Sequence, residues 1–410
     1  MLFQRYGLNL DPHNIDCFDR WAFTETPFEQ EGHSGKSKKK ILFEVCGSYY
    51  VRVLVSLLVS LMYLVFFSIR YNRSECVSKR GRSVLLLGFG AGAEEAIFAK
   101  LKERHRFDNV VEFAKITKGD YFSFGQRPKF FSLLVAIFRF WWRSYRVVSV
   151  HKRRVQSIGV QCFVYLSSAT FEYAVWYCWA KASKGRIRKA YVICNDLRSF
   201  ALVNNNIEVE YVQHGFLSKY LVFPDYDAAS VMTSIDRVFV SNRVPSASVK
   251  VMPEYEMEKF YGRLLSPDLE DFIKKDVRSV FVASVYGSDF FYERVKVLFD
   301  YLIGCGSVNV TVKVHPAESN SFWYALADKY QFRLVKSGVD LIEALESVNP
   351  DLFVSWYSTS FLDALKLNIR SLSLCTQEEL DNSGLVFNLS NYSNTFDDLV
   401  LPSEETLVRE

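Results

Sequence analysis

The stretch Val308-Asn309-Val310-Thr311-Val312-Lys313-Val314-His315-Pro316-Ala317-Glu318 decides the fold. β-Branched residues fit a pleated, half-buried strand. Pro316 has no amide hydrogen for a ladder, so the strand is expected to stop there. His315 then stands at the strand's C-terminal lip, which is where ligands bind in open α/β sheets. Earlier in the chain a second strand ends alike, in Ile207-Glu208-Val209-Glu210-Tyr211-Val212-Gln213-His214-Gly215. Two strand-end histidines, one in each half, are the main functional clue.

Working outward from residues 308–318, strands are expected at 279–284, 309–314, 332–335, 352–355 and 371–374. Helices are expected between them at 290–303, 321–329, 341–347 and 359–367. Upstream, an apolar strand from residue 83 meets a Gly-rich turn and a helix to about 103. Further strands are expected at 161–166, 190–195, 208–213 and 237–241, with helices at 171–183 and 197–203. Such alternation implies parallel sheets with right-handed crossovers. The class is therefore α/β, with two Rossmann-like domains facing across a cleft. The expected boundaries are an N-terminal segment 1–82, a first domain 83–243 and a second domain 277–410 with a C-terminal tail. Residues 244–276 carry Pro245, Pro253 and Pro267 and read as the connection.

The 410 residues leave room for two domains and an extra segment. A net charge of +4 is weak for a nucleic-acid binder, which clusters its positive charge, so no nucleic-acid partner is expected. The 8 Cys include no Cys-x-x-Cys pair, so a zinc site is not expected and a reducing compartment fits. Residues 1–20 lack the apolar core of a signal peptide.

Two apolar stretches raise the question of a membrane. Residues 51–69 are just long enough to cross a bilayer core. Basic residues flank both ends, Lys38, Lys39 and Lys40 before and Arg70 and Arg73 after, which removes the asymmetry that orients a span. A buried or surface-embedded helix is the expectation. Residues 129–154 interleave Trp141 and Trp142 with Arg143 and Arg146, the profile of an interfacial membrane helix. A core helix whose arginines snorkel is the alternative. The expected location is peripheral, at the inner face of the cytoplasmic membrane.

Candidate chemistry gathers at strand ends. His315, fixed by Pro316 and near Lys313 and Glu318, can donate to an anionic oxygen or titrate near neutral pH. The alternative is a histidine satisfied within a turn. Ser358, Thr359 and Ser360 lead into a helix N-terminus, where free N–H groups bind phosphate; a plain N-cap is the alternative. Ser284 and Gly287 keep the turn after strand 279–284 small, for close approach of a phosphate. In Gln213-His214-Gly215, Gly215 permits a sharp turn that exposes His214 as a general base. Asp196 is the rival base or the group that orients the imidazole, or else a helix cap. Gly88 and Gly90 begin a Gly-x-Gly-x-Gly run whose third glycine is misplaced for a dinucleotide fingerprint. A tight turn is the simpler reading, and a turn facing the acceptor is the other. No Asp-x-Asp pair sits at a strand end, so no metal or other cofactor is expected to be obligatory. Imidazolium and hydroxyl donors would neutralise a leaving phosphate instead. Together these residues point to group transfer from an activated nucleotide.

Gln213-His214-Gly215, then Lys313-Val314-His315-Pro316, then Ser355 through Ala364 resemble the bacterial surface-polysaccharide transferases of GT-B fold. Those include the CDP-glycerol glycerophosphotransferases of teichoic acid synthesis and the His-Pro sialyl- and Kdo-transferases of capsule and lipopolysaccharide. The resemblance spans residues 160–375 and lies in the order of the motifs. It implies a base role for His214, contact of His315 with a leaving CMP phosphate, and phosphate contact for Ser358 and Thr359. It implies a CMP-sugar donor and a glycan or lipid-linked acceptor. The chain lacks the acidic-acidic-Gly motif of the sialyltransferases, so a carboxylate and His214 both stand as options for the base. A CDP-glycerol glycerophosphotransferase, an epimerase of the same fold and a non-catalytic membrane-associated scaffold are the other readings.

Overall fold

The computed structural model describes residues 48–71, 83–88, 92–105, 110–113, 128–150, 161–193, 195, 197–219, 221, 223–253, 269–285, 289–306, 308–315, 318, 320–335, 338–387, 389 and 392–399. Among the described residues the strands form two sheets in succession, in keeping with the α/β class and the two strand series expected from the sequence.

The first half runs α1 (Tyr49–Tyr71), β1 (Ser83–Leu87), α2 (Gly92–His105), β2 (Val110–Phe113), α3 (Phe130–Val150), α4 (Gln161–Ser183), β3 (Ile187–Val192) and α5 (Leu197–Val203). It continues with β4 (Val209–Val212), β5 (Ala228–Val231), α6 (Ser234–Arg243) and β6 (Ser248–Val251). Its sheet order is β2-β1-β3-β4-β5-β6, parallel from β2 through β5. β1 is buried along its whole length, as a continuous apolar run covered on both faces should be.

Helices α1, α3 and α4 pack together. Phe140 of α3 meets Tyr173 and Tyr177 of α4 edge-on at 4.7 and 5.2 Å, an arrangement ring quadrupoles favour. The Ser60 hydroxyl of α1 donates to the Ser167 carbonyl of α4 at 2.8 Å. The Trp141 indole of α3 donates to the Val53 carbonyl and the Ser56 hydroxyl of α1 at 3.3 and 3.2 Å.

Two expected strands are helical. Residues 161–166 belong to α4, one helix of 23 residues. Strand-prone residues are absorbed there because helix growth is cooperative once nucleated. Residues 237–241 lie in α6. The Thr233 hydroxyl accepts from the Asp236 amide at 3.0 Å and donates to the Asp236 carboxylate at 2.8 Å, which starts a helix despite the β-branched content. The expected connection contains β6 and a helix, α7 (Leu269–Asp276).

The second half continues with β7 (Ser279–Ala283), α8 (Asp289–Gly304), β8 (Asn309–Lys313), α9 (Asn320–Tyr330), β9 (Arg333–Val335) and α10 (Leu341–Val348). It ends with β10 (Leu352–Ser355), α11 (Ser360–Lys366), β11 (Arg370–Ser373) and α12 (Gln377–Asn382). The sheet order is β11-β10-β7-β8-β9, all parallel. Strand order therefore reverses between β7 and β10, the point at which doubly wound sheets open a crevice at their carboxyl ends. β10 is buried throughout, and the Phe281 and Phe353 rings stack at 6.3 Å in adjacent strands.

The chain divides into two compact units. His214–Lys219 and Val231–Phe239 group with everything from Val251 onward, and Tyr220–Ser230 and Val240–Lys250 group with everything up to Gln213.

Phe353 is fully buried. Phe353→Ala is expected to cost ~3–5 kcal/mol, from lost transfer energy plus the cavity left behind. Urea denaturation measures it, and a loss below about 1 kcal/mol would contradict this packing.

Candidate functional site

Register brings three strand ends level in the second sheet. Ala283 of β7 pairs with Lys313 of β8, and Val282 pairs with Val354 of β10. The Ser284 amide donates to the Lys313 carbonyl at 3.0 Å, and the Ser355 hydroxyl donates to the Ala283 carbonyl at 2.9 Å. The residues that follow, Ser284, His315 and Trp356, must therefore leave the sheet beside the switch point.

Glu318 ties two of these ends together. Its carboxylate accepts from the Ser284 hydroxyl, from the Tyr292 hydroxyl on α8, and from the His315 amide at 3.2 Å. The His315 amide also donates to the Ser284 hydroxyl oxygen at 2.7 Å, and the Glu318 amide closes the turn on the His315 carbonyl at 3.0 Å. Glu318 was expected to touch the donor. Its carboxylate is instead committed to protein donors, and a carboxylate would repel a phosphate. It is a positioning group for His315.

The imidazole of His315 remains exposed. Loss of solvent around it pushes its pKa below 6.5, aided by Lys313 and opposed by Glu318. Burial likewise holds the Lys313 ammonium below its usual 10.5, against the pull of Asp340. The Lys313 ammonium and the His315 imidazole thus stand at the end of β8 with their charged forms disfavoured by lost hydration, and an arriving anion would favour those charged forms.

After β10 the chain turns through Tyr357 and Ser358 into α11. Ser358 and Thr359 are half-buried. The Ser358 hydroxyl accepts from the Ser360 amide at 3.3 Å. Thr359, at the N-cap, makes no side-chain cap hydrogen bond. The Ser360 hydroxyl is buried without a hydrogen-bond partner among the described residues, a condition that folded proteins seldom leave in place. α11 has only 7 residues, so its dipole is a small contribution beside the side chains. Behind this turn the Arg294 guanidinium lies over the Trp356 ring at 5.2 Å and donates to the Leu374 carbonyl at 2.6 Å.

In the first half, Gly88 is buried at the end of β1, and its carbonyl accepts from the buried Arg198 guanidinium at 3.0 Å. Gln213 is fully buried, and its amide donates to the Ser230 carbonyl at 2.9 Å. His214 is half-buried and opens the segment that groups with the second half. That segment pairs with the chain near its end. Lys219 donates to the Gly384 carbonyl at 2.6 Å, Val386 donates to the Leu217 carbonyl at 2.7 Å, and the Phe216 and Phe387 rings stack at 5.2 Å. Gly384, with φ of +69°, makes that pairing possible. Gly215 does not act as expected: its φ is not left-handed, and an added Cβ would meet nothing within 4 Å. The turn at His214 does not depend on a glycine.

Gly90, Asp196, Gly287, Pro316 and the side chain of Arg146 lie outside the described residues. Trp142 is exposed, Arg143 is half-buried, and Trp141 is turned toward α1. Among the described residues no cluster of His, Cys, Asp or Glu is placed to hold a metal ion.

Two residues with site roles were not singled out in the sequence. Tyr292 follows two phenylalanines in a helix and reads as core. Arg198 reads as a surface charge in the first turn of α5. A polar group within an apolar run was the available signal in both cases.

No family model matches the chain, and no curated protein matches it in sequence. Several solved structures are similar in fold. The wall teichoic acid polymerase TagF with CDPG aligns over 84% of each chain at 10% identity and a TM-score of 0.39. S. aureus MnaA with UDP aligns over 81% of this chain and 89% of that one, at 12% identity and a TM-score of 0.41. Os79 from O. sativa, with UDP and deoxynivalenol-3-glucoside, aligns over 71% and 80% at 12% identity and a TM-score of 0.35.

His315 gives a pH signature. Its folded-state pKa lies below the unfolded one, so folding opposes its protonation. Stability is full above pH 6.5 and falls as pH drops from there toward the folded-state value. His315→Gln should flatten that segment of the stability profile. By NMR titration, Glu318→Gln should lower the His315 pKa further and Lys313→Met should raise it. Opposite signs would refute the charge arrangement described.

Proposed function

We propose that the chain is a glycosyltransferase. It moves a sugar from a nucleotide-activated donor, a CMP-sugar first among them, to a hydroxyl of a surface glycan or lipid-linked acceptor. The setting is capsule or O-antigen-type synthesis at the inner face of the cytoplasmic membrane. The observation that carries the reading is the register that brings the ends of β7, β8 and β10 level beside the strand-order switch, with Ser284, Lys313 and His315 at two of those ends and the Ser358 turn after the third.

In this reading the donor phosphate lies over the end of β8. The Lys313 ammonium and the His315 imidazole meet its oxygens, with the Ser358 and Thr359 hydroxyls on the other side. Charge accumulates on the phosphate as the bond to the sugar breaks. Preset donors in a partly dehydrated site stabilise that charge more than water does. An anion near His315 also raises its pKa, so the imidazole becomes a full cation as the donor settles. His214 accepts the proton of the attacking acceptor hydroxyl. Two protein cations and two hydroxyls supply the charge balance, so the step needs no metal. Glu318 acts indirectly, by fixing the turn that presents His315.

A thermal-shift screen with CMP, UDP, GDP and ADP tests the donor. At about a hundred times its dissociation constant the right nucleotide should add ~2.7 kcal/mol of stability. Cytidine nucleotides are expected to shift the melt most, and His315→Ala should lower donor turnover by roughly a hundredfold or more without unfolding the protein. No shift with any nucleotide, or unchanged turnover in the variant, would overturn the assignment. Inversion of the sugar with donor alone would mark an epimerase instead.

A further inference from the structure

We propose that α1 and α3 together form a docking face for an anionic lipid bilayer, lying in the plane of its headgroups. The claim rests on the membrane location proposed above but not on the transfer chemistry.

Both helices bury one side and leave an apolar stripe on the other. On α1, Val53, Leu57 and Leu64 are buried, whereas Leu54, Leu58, Met62 and Val65 are each more than half exposed. The exposed set recurs every three or four residues, so it forms one stripe on a helix. On α3, Leu133, Ile137 and Phe140 are buried, whereas Phe131, Val135, Phe138 and Trp142 are exposed, Phe131 by 73%. The stripes sit on adjoining helices, because Trp141 bonds to the α1 backbone. Single exposed apolar residues are ordinary, but two adjoining stripes of large ones mark an interaction surface.

Charge identifies the occupant. α1 carries Arg52 and Arg70 and no acidic residue. From Lys129 through α3 to the run Lys152-Arg153-Arg154 the chain has Arg139, Arg143 and Arg146 and no Asp or Glu. Exposed apolar stripes on two helices whose sequences carry basic and no acidic residues fit an anionic headgroup layer, with Trp142 at the interface. A second copy fits poorly, since a two-fold pairing would set these basic helices against their own copies. Among the described residues no helix is long and apolar enough to cross a membrane, so the face would lie on the bilayer.

Vesicle flotation tests the proposal. The protein is expected to float with vesicles of equal parts phosphatidylcholine and phosphatidylglycerol, weakly with phosphatidylcholine alone, and less as salt rises. A variant with Leu54→Ser, Leu58→Ser, Phe131→Ser and Trp142→Ser should lose affinity by roughly tenfold per large side chain. These side chains are exposed, so its melting temperature should hold. Trp141→Phe, which changes an inward residue, should still float. Equal flotation of the Ser variant and the parent overturns the proposal. So does a parent that never floats but forms a dimer that these substitutions dissociate. The nucleotide thermal shift of the Ser variant separates the two claims: a retained shift with lost flotation supports the docking face, and parental flotation without any nucleotide shift supports it while striking the transferase reading alone.

Discussion

Glu318 is the group on which the second half's site depends. A carboxylate can accept several hydrogen bonds at once, and this one takes them from a strand end, a helix and a turn: Ser284, Tyr292 and the His315 amide. Without that acceptor, the ends of β7 and β8 would be joined beyond the sheet ladder only by the bond from the His315 amide to the Ser284 hydroxyl. The loop beyond would be free to place His315 elsewhere. Charge-assisted bonds of this kind are about twice as strong as neutral ones, and removing one partner leaves the others unsatisfied. A residue outside every strand and helix thus helps, together with Ser284, to fix the backbone from which His315 projects.

The first half uses a different device. Its helical layer is joined by small hydroxyls and one indole: Ser60 to Ser167, and Trp141 to Val53 and Ser56. These short polar contacts keep the outward sides of α1 and α3 from being needed for cohesion. Both helices can therefore remain apolar on both sides, one side serving the core and the other left available. A helix of that composition in a purely soluble setting would be a standing aggregation risk.

The second sheet was legible because β7 and β10 are buried along nearly their whole length and read as apolar runs, while β8 reads as a β-branched alternation that stops at His315-Pro316. Strand ends followed from chemistry at single positions, and His315 and Ser284 fall where those ends predict. Where the reading failed, a local device overrode composition. The Thr233–Asp236 pair turned a Val-Phe-Val run into α6, and helix growth took residues 161–166 into α4. Register and side-chain direction were not legible. Nothing in the sequence shows that Glu318 points back at three donors, or that Trp141 bonds to α1 while Trp142, its neighbour in the chain, stays exposed. The sharp turn assigned to Gly215 shows the same limit from the other side, for a permissive residue need not use its freedom.

The strand-end cations show why burial matters more here than net charge. Lys313 and His315 are both held below their ordinary pKa values by loss of water, against the pull of Asp340 on the one and of Glu318 on the other. A cation in that condition has already given up part of its hydration, so an incoming anion need not strip it away. Glu318 opposes the effect on His315, yet its hydrogen bonds to Ser284, Tyr292 and the His315 amide turn much of its charge toward the protein. A more exposed lysine would pay for dehydration at the moment of binding, whereas an imidazole keeps an N–H donor for a phosphate oxygen even when neutral. The half-burial of Lys313 at the end of β8 is the condition under which its ammonium distinguishes an anion from water.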